Sequence, residues 1–334
     1  MKFIYKTQYN KNKMKSLRYI SIQPRLIFYA WQVEVMLNNF ISKGINPKNI
    51  DILVACNTND PRTSSEEHKL LWDKLVKHFS DVNFYFYDDK RNHPVEYVST
   101  IRPNIFKQHL QKYTELSKDV FFYSDCDIIF SKKPNFDNLL NDDYWYVSDT
   151  NSYINAEYIL SKGEEVYFKM CDIVGIDEAI PIQNNRHSGG AQYIMKNLTW
   201  QYWDKVEKDS ENLFSEITKL NNKIKETNAD YHELQIWCAD MWAVLWNGWL
   251  FGNNIKIDKR LNFSWATDNI DVYKHKKIYH NAGVSINDTK LFFKSSFTDI
   301  LPYNYIDKKM YSKHFCSIKY VQEILKTKKV SCLL

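Results

Sequence analysis

Short apolar runs alternate with amphipathic segments over the first 130 residues of the chain. Nearly continuous apolar runs are typical of strands buried on both faces, and apolar residues at a spacing of three to four predict helices. Strands that alternate with helices indicate an α/β fold whose mostly parallel sheet is flanked by helices. The predicted strands are 18–22, 50–55, 82–87 and 120–124, and the predicted helices are 27–40, 64–79 and 104–113, the last after Pro103.

Beyond residue 150 the pattern becomes mostly helical. Segments 154–171 and 200–249 have helical spacing, and short strands are predicted near 193–195, 255–257 and 277–279. No Pro-, Gly- or Ser-rich linker divides the chain. We therefore predict one domain with a helical C-terminal elaboration.

The composition excludes several classes of protein. In 334 residues, 44% are hydrophobic, 25% charged and 16% aromatic, which is typical of a globular protein and not of a disordered one. Glycine and proline number 8 each, too few for a collagen-like or linker-rich chain. No apolar run reaches the ~18 residues of a membrane span, and the polar, Lys-rich residues 1–17 do not resemble a signal peptide.

The six cysteines are scattered, with no CxxC pair and no zinc spacing, so we expect free thiols in a reducing compartment. We therefore expect a cytoplasmic protein, either a cellular one or a viral protein in the host cytoplasm. The net charge of +5 is unevenly distributed, because residues 271–334 alone carry twelve lysines, no arginine and five acids. This segment is interpreted either as a solvated tail or as a surface for an anionic partner.

The main chemical signal is the pair Asp125 and Asp127, which follows the buried strand 120–124 directly. Ligands of open α/β sheets bind beyond the carboxyl ends of the strands, so the fold would deliver both carboxylates to a site. Two carboxylates one residue apart can hold a hard divalent cation, Mn²⁺ or Mg²⁺. The alternative is that one aspartate caps a turn while the other is solvated.

Three further features support a site. His280 follows a predicted strand and could complete a metal shell, although a lone histidine is more often a hydrogen-bonded core or surface residue. Gly189 and Gly190 would let a bulky ligand approach the backbone closely, or would form a simple tight turn. Asp240 lies in an apolar, Trp-rich helix, where a carboxylate is costly unless it is paired or faces a cleft.

The order of these motifs resembles that of a metal-dependent nucleotide-sugar glycosyltransferase of the GT-A fold, a Rossmann-like fold. Within it, the resemblance is to the hydroxyproline O-arabinosyltransferase and peptidyl-serine α-galactosyltransferase group. It spans residues 18–284 in the same order and rests on segments 29–32 (Tyr-Ala-Trp-Gln), 102–110, 188–203, 238–243 (Cys-Ala-Asp-Met-Trp-Ala) and His280. Asp240 stands where that group usually has Glu.

The resemblance implies transfer of a pentose or hexose from a nucleotide diphosphate, UDP above all, to a hydroxyl on a protein, peptide or glycan, with retention of configuration. Residues 1–290 would form the GT-A domain, and residues 291–334 a Lys-rich extension packed on it or tailing from it. Asp240 would be catalytic. The implied metal ligands are Asp125, Asp127 and His280, and the implied donor-binding residues are Tyr29, Trp31, Gln32, Arg102, Ser124, Cys126, Gly189, Gly190 and Gln192.

Other functions remain open on the sequence. The basic C-terminal segment would suit a glycosyltransferase that acts on hydroxymethylated pyrimidines in DNA, although that segment contains no arginine for base reading. A phosphohydrolase usually carries Asp-x-Asp-x-Thr near its N-terminus, whereas position 129 here is isoleucine. A non-catalytic sugar-binding module would also use the abundant aromatic side chains.

Overall fold

The computed structural model describes residues 16–91 and 95–334, so the prediction about residues 1–17 lies almost entirely outside the described residues. The strands are β1 (Leu17–Pro24), β2 (Ile50–Cys56), β3 (Asn83–Asp88), β4 (Val120–Ser124), β5 (Ile128–Phe130), β6 (Tyr144–Asp149), β7 (Gly189–Lys196), β8 (Asn254–Ile257), β9 (Phe263–Trp265) and β10 (Ile278–His280). The helices are α1 (Ile27–Ser42), α2 (Glu66–His78), α3 (Ile101–Lys112), α4 (Asn151–Ile154), α5 (Ala156–Leu160), α6 (Glu164–Val174), α7 (Ala179–Gln183), α8 (Trp200–Thr227), α9 (Ala239–Leu250), α10 (Ile270–His275) and α11 (Ser317–Thr327).

The main sheet has seven strands in the order β3-β2-β1-β4-β7-β6-β8. Strands β3, β2, β1 and β4 are parallel to one another, β7 is antiparallel to β4 and β6, and β8 is parallel to β6. The predicted α/β class with a mostly parallel sheet and flanking helices is therefore confirmed. Every residue of β2 is buried, as its continuous apolar run predicts for a strand covered on both faces.

A second, three-stranded sheet in the order β5-β10-β9 lies next to the end of β4. Strand β10 pairs antiparallel with β5 and parallel with β9, and it places His280 opposite Ile128. Since only three residues separate β5 from the end of β4, this pairing brings a late segment of the chain to the carboxyl edge of the main sheet. The prediction of a strand near 277–279 is confirmed, but β5, β6 and β9 were not predicted.

The start of α3 differs from the prediction. The helix begins at Ile101 and includes Pro103 in its first turn, so the prediction that it starts after the proline is wrong. The first turn of a helix has no intrahelical partners for its backbone N–H groups, and a proline there costs no hydrogen bond. Helix α2 begins at Glu66, where the side chain of Ser65 accepts a hydrogen bond from the backbone N–H of His68 over 3.3 Å.

Two hydrophobic clusters lie on opposite faces of the main sheet, because alternate residues of a strand point to opposite sides. Ile52 and Val54 of β2 belong to one cluster, and Leu53 and Ala55 to the other. The first cluster also contains the end of the chain, with helix α11 packed beside α1.

All six cysteines are free, as predicted. Within the described part of the chain, no helix combines the length and apolar character needed to span a bilayer.

Candidate functional site

Strand β4 delivers the candidate site to the carboxyl edge of the sheet. Asp125 and Asp127 flank Cys126 in the link between β4 and β5, at the edge where the parallel strands β1 and β2 also end. The antiparallel pairing of β5 with β10 then sets His280 beside the two aspartates. Residues more than 150 positions apart in sequence therefore meet at one point.

Asp125, Asp127 and His280, here called the Asp-Asp-His cluster, have the geometry of a cation site. His280 Nε2 lies 3.2 Å from Asp127 Oδ1 and 3.7 Å from Asp125 Oδ2. Each residue offers one ligand atom, and these atoms lie within 4.8 Å of one another. One cation at about 2.0–2.4 Å from each ligand fits this spread. Carboxylates suit hard divalent cations and imidazole is a common ligand of transition metals, so the residues present fit a divalent metal ion.

Lys294 is the counter-charge of the cluster. Its ammonium lies 2.5 Å from Asp127 Oδ2, and Asp127 itself is only 2% exposed. Burial opposes ionisation of Asp127, but Lys294 and His280 outweigh it and hold the pKa of this carboxyl well below its usual value. Asp127 is therefore ionised at neutral pH and available as a ligand.

Arg102 of α3 joins the cluster to Asp240. Its guanidinium donates hydrogen bonds to Asp125 and to Asp240. Burial opposes the charge of Arg102, yet the two carboxylates outweigh it and raise its pKa. The Tyr97 hydroxyl lies 2.7 Å from Asp240 Oδ1 and accepts a hydrogen bond from the Asp240 backbone N–H over 3.3 Å. Asp240, in the first turn of α9, is thus a paired, buried carboxylate.

Gln192 contacts His280 and does not line any of the three cavities described below. It is fully buried, and its amide nitrogen lies 3.3 Å from His280 Nδ1. If Nε2 of His280 is a metal ligand, Nδ1 carries the proton and needs an acceptor. The amide oxygen of Gln192, which has no partner among the described residues, can supply it after a flip of the amide.

Three neighbouring cavities surround the Asp-Asp-His cluster. The strand-edge cavity has a volume of about 320 Å³ and lies against the ends of β1 and β4. The inner cavity, of about 150 Å³, lies between Asp125, Asp240 and His280. The aromatic cavity, of about 410 Å³, lies beyond Trp237 and Trp265.

The strand-edge cavity contains several of the predicted donor-binding residues. Tyr29, Gln32, Arg102 and Cys126 line it together with Asp125, Asp127 and Lys294. Trp31 does not: it is 0% exposed, and its indole N–H donates to the Phe297 carbonyl over 3.2 Å. The prediction that Trp31 contacts the donor is corrected, because this face of α1 packs against the C-terminal segment.

The inner cavity is lined by Ser124 and Asp240, but not by the two glycines. Gly189 and Gly190 are buried in β7 and do not form a turn. A Cβ atom on Gly189 would lie 2.4 Å from the Ser148 carbonyl oxygen, and one on Gly190 would lie 2.6 Å from the Tyr193 hydroxyl. The glycines are therefore required by packing around β7, and the neighbouring Ala191 lines the cavity instead.

Several residues of the site were not predicted from the sequence. Lys294 lies in the segment interpreted only as a tail or a charged surface, and nothing in the local sequence separates it from the other lysines there. Tyr97 and Tyr153 lie outside every motif. For Trp237 and Trp265 the sequence gives only a weak indication of a role in the site: each is a tryptophan near an acidic or turn residue.

Comparisons with known proteins give similar solved structures at low identity. The bifunctional glycosyltransferase WbbM has a TM-score of 0.46 and 12% identity, over 81% of this chain and 46% of that one. The glycosyltransferase GlyE of Streptococcus pneumoniae TIGR4 has a TM-score of 0.40 and 11% identity, over 95% of this chain and 62% of that one. Mouse xyloside xylosyltransferase 1 has a TM-score of 0.36 and 11% identity, over 81% of this chain and 100% of that one.

This chain thus spans less than two thirds of the length of WbbM and GlyE. No family model and no curated protein matches the sequence.

Proposed function

We propose that this protein is a metal-dependent glycosyltransferase that moves a sugar from a nucleotide diphosphate, UDP above all, to a hydroxyl group. The observation that carries the proposal is the Asp-Asp-His cluster at the carboxyl edge of the sheet, with Asp125 on the walls of both the strand-edge and the inner cavity. A diphosphate bound at the cluster would have room for its nucleoside on one side and its sugar on the other.

The reaction breaks the bond between the anomeric carbon and the diphosphate oxygen, and the electron pair leaves with the diphosphate. The acceptor oxygen forms the new bond to that carbon, and its proton passes to the departing diphosphate. A divalent cation held by Asp125, Asp127 and His280 would supply positive charge next to the leaving group. By resemblance we propose retention of configuration, as in the arabinosyl- and galactosyltransferase group.

Two cations of the chain itself would share the charge of the leaving group. Arg102 and Lys294 both line the strand-edge cavity and both pair with a carboxylate of the cluster. A diphosphate oxygen can replace a carboxylate as their hydrogen-bond acceptor at little cost, since all partners are charged. These two side chains would therefore bind and orient the diphosphate.

The strand-edge cavity would hold the nucleoside of the donor, and the inner cavity would hold its sugar. Tyr29 and Gln32 would contact the nucleoside, because both line the strand-edge cavity beyond the diphosphate position. Asp240 would accept hydrogen bonds from sugar hydroxyls in the inner cavity. Burial raises the pKa of Tyr29 to about 12, so this side chain stays neutral and can serve as a hydrogen-bond donor.

A donor panel with Mn²⁺ tests the proposal. UDP-sugars of pentoses and hexoses are incubated with the full chain, and release of UDP by slow hydrolysis is measured. We expect one sugar to be turned over and EDTA to abolish the reaction. Asp125→Ala and Asp127→Ala should each lower the rate by at least about 100-fold, since each removes a carboxylate that would hold the charge-stabilising cation.

Asp143→Ala provides the matched control, because Asp143 is an exposed aspartate outside the three cavities. Its rate should equal that of the wild type. Full activity in EDTA, or in either cluster variant, would contradict a metal-dependent transferase.

A further inference from the structure

We infer that the aromatic cavity is the acceptor subsite and that the acceptor is a saccharide. This inference rests on the glycosyltransferase function proposed above and names its substrate class. Four observations support it: the position of the cavity, the aromatic faces on its wall, a buried amide without a partner, and the charge of the lining.

The aromatic cavity is adjacent to the place where the donor sugar would lie. Tyr153, Trp237 and Trp265 line both the aromatic and the inner cavity. Lys294 lines both the aromatic and the strand-edge cavity. Because Lys294 would bind the diphosphate, an acceptor in the aromatic cavity would lie beside the donor sugar on the side of the leaving group, the side from which attack gives retention.

The wall between the two cavities is formed by stacked aromatic rings. Trp237 and Tyr153 lie 6.3 Å apart and nearly parallel, at 27°, and Trp265 meets Tyr153 edge-on at 6.2 Å. Trp237 is 58% exposed, although it lies only two residues before the buried helix α9. A sugar ring has a face of polarised C–H groups, which the negative face of an indole attracts. The exposed indole of Trp237 therefore favours a pyranose or furanose ring.

Polar groups at the rim of the cavity match the hydroxyls of a sugar. Asn281 is 98% buried, since only 2% of it is exposed, and its amide nitrogen has no hydrogen-bond partner among the described residues. Its amide oxygen accepts a hydrogen bond from the Tyr279 hydroxyl over 2.8 Å, so the side chain is already oriented. A buried amide donor without a partner is costly, and a ligand hydroxyl would satisfy it. Gln235 adds a second amide to the lining.

The charge of the cavity argues against a nucleic acid. Among the described residues that line the aromatic cavity, Lys294 is the cation, and its ammonium is paired with Asp127. Binding along a phosphate backbone requires several free cations, which this wall does not offer. The volume of about 410 Å³ is within the range of small-molecule sites and suits one or two sugar units.

Saturation-transfer NMR on the full chain with UDP and Mg²⁺ tests the inference. The probes are methyl glycosides of glucose, galactose and xylose, the disaccharides lactose and maltose, a ten-nucleotide thymidine strand and a serine-containing octapeptide. We expect signals from at least one sugar probe and none from the peptide or oligonucleotide. A signal from the oligonucleotide or the peptide, with none from the sugars, would overturn the inference.

The substitution Trp237→Ala tests whether the glycoside binds in the aromatic cavity. The ratio of the glycoside signal to the UDP signal should fall at least about fivefold, and Trp237→Tyr, which keeps an aromatic face, should restore part of it. Trp200→Ala is the matched control, because Trp200 is 37% exposed and lies outside the three cavities. An unchanged ratio in Trp237→Ala would overturn the inference.

Donor hydrolysis separates this inference from the proposed function. If wild-type protein hydrolyses a UDP-sugar with Mn²⁺ but binds no sugar probe, the acceptor inference alone fails. If no UDP-sugar is hydrolysed and UDP does not bind, the proposed function fails and the acceptor inference with it.

Discussion

Single residues of the site are held by a small network of opposite charges. Arg102 bridges Asp125 and Asp240, and Lys294 pairs with Asp127. Each buried carboxylate is stabilised by a cation, since a buried charge without a partner would be far more costly. Removal of one member therefore changes the charge balance of the others, and single substitutions here test function as well as packing.

Among the single residues of the site, Asp240 provides the most direct test of the proposed mechanism. Asp240→Asn keeps the shape of the side chain but removes the charge that faces Arg102. We expect UDP and metal to bind as before and sugar transfer to fall by about 100-fold, the scale of a positioned acid, base or orienting group. Asp240→Glu should recover part of the rate. Donor affinity and transfer rate are measured for both variants, and an Asn variant as active as the wild type would make Asp240 a structural carboxylate.

Gln192 should act on the metal through His280. Gln192→Met keeps the volume of the side chain but removes the amide that faces His280 Nδ1. We expect the dissociation constant for Mn²⁺, measured by electron paramagnetic resonance, to rise about 10-fold or more, because groups that orient a metal-bound histidine affect affinity on this scale.

Gln108→Met is the matched control for this measurement. Gln108 is also buried, and its amide donates to the Asp88 carbonyl over 2.9 Å, away from His280. Equal Mn²⁺ affinities in the two variants would contradict a positioning role for Gln192.

Among the elements, helix α3 carries a buried histidine on its inner face. His109 is 0% exposed, and its Nδ1 lies 2.7 Å from the Tyr87 hydroxyl. Burial, together with Arg18 and Lys112, lowers the pKa of His109 to about 3. In the unfolded chain a histidine titrates near pH ~6.5. Between these values the unfolded state binds more protons, so stability falls as the pH is lowered from about 6.5 towards 3.

The pH dependence of unfolding tests this effect. From pH 7 to pH 5, the wild type should lose about 2 kcal/mol more of its unfolding free energy than His109→Gln, at ~1.4 kcal/mol per pH unit below ~6.5. Urea unfolding at both pH values provides the measurement. His314→Gln, at an exposed histidine, should keep the wild-type pH dependence. If His109→Gln also keeps it, this histidine is protonated in the folded protein.

For the whole molecule, the C-terminal segment is built into the fold around α1. Phe292, Tyr320 and Ile324 are buried in the cluster that contains Trp31. Glu34 of α1 is 0% exposed and accepts hydrogen bonds from Ser331 Oγ over 2.8 Å and the Cys332 backbone N–H over 2.7 Å, as well as from the Tyr303 hydroxyl. The division between residues 1–290 and 291–334 remains a proposal, and it can be tested directly.

A chain that ends at residue 290 should not fold. Each large buried side chain contributes about 1.5–3 kcal/mol, and several of them are lost, against a total stability of about 5–15 kcal/mol. Near-ultraviolet circular dichroism and Mn²⁺ binding are the measurements. Glu34→Gln in the full chain should cost only about 1–3 kcal/mol and stay folded. A folded, metal-binding 1–290 chain would show that the segment is an appendage.

The α/β class, strands β1 to β4, most of the helical second half and the two aspartates that follow β4 could be predicted from the sequence. Those features depend on local periodicity and on strand topology, which neighbouring residues specify. The three-residue strands β5 and β9 and the start of α3 were not predictable in this way, because three-residue strands have no period and Pro103 is tolerated in a first helical turn. The six-residue strand β6 was also not predicted.

Which side chains meet at the site depends on contacts between distant segments of the folded chain. The β5–β10 pairing brings His280 to the aspartates, and Lys294 reaches Asp127 from a segment that reads in sequence as one of many lysines. Trp31 and Gln192 lie in motifs that predicted contacts with the donor. In the folded chain, Trp31 is instead a core residue and Gln192 lies against His280. Contacts between distant segments depend on chain packing, and no local pattern encodes them.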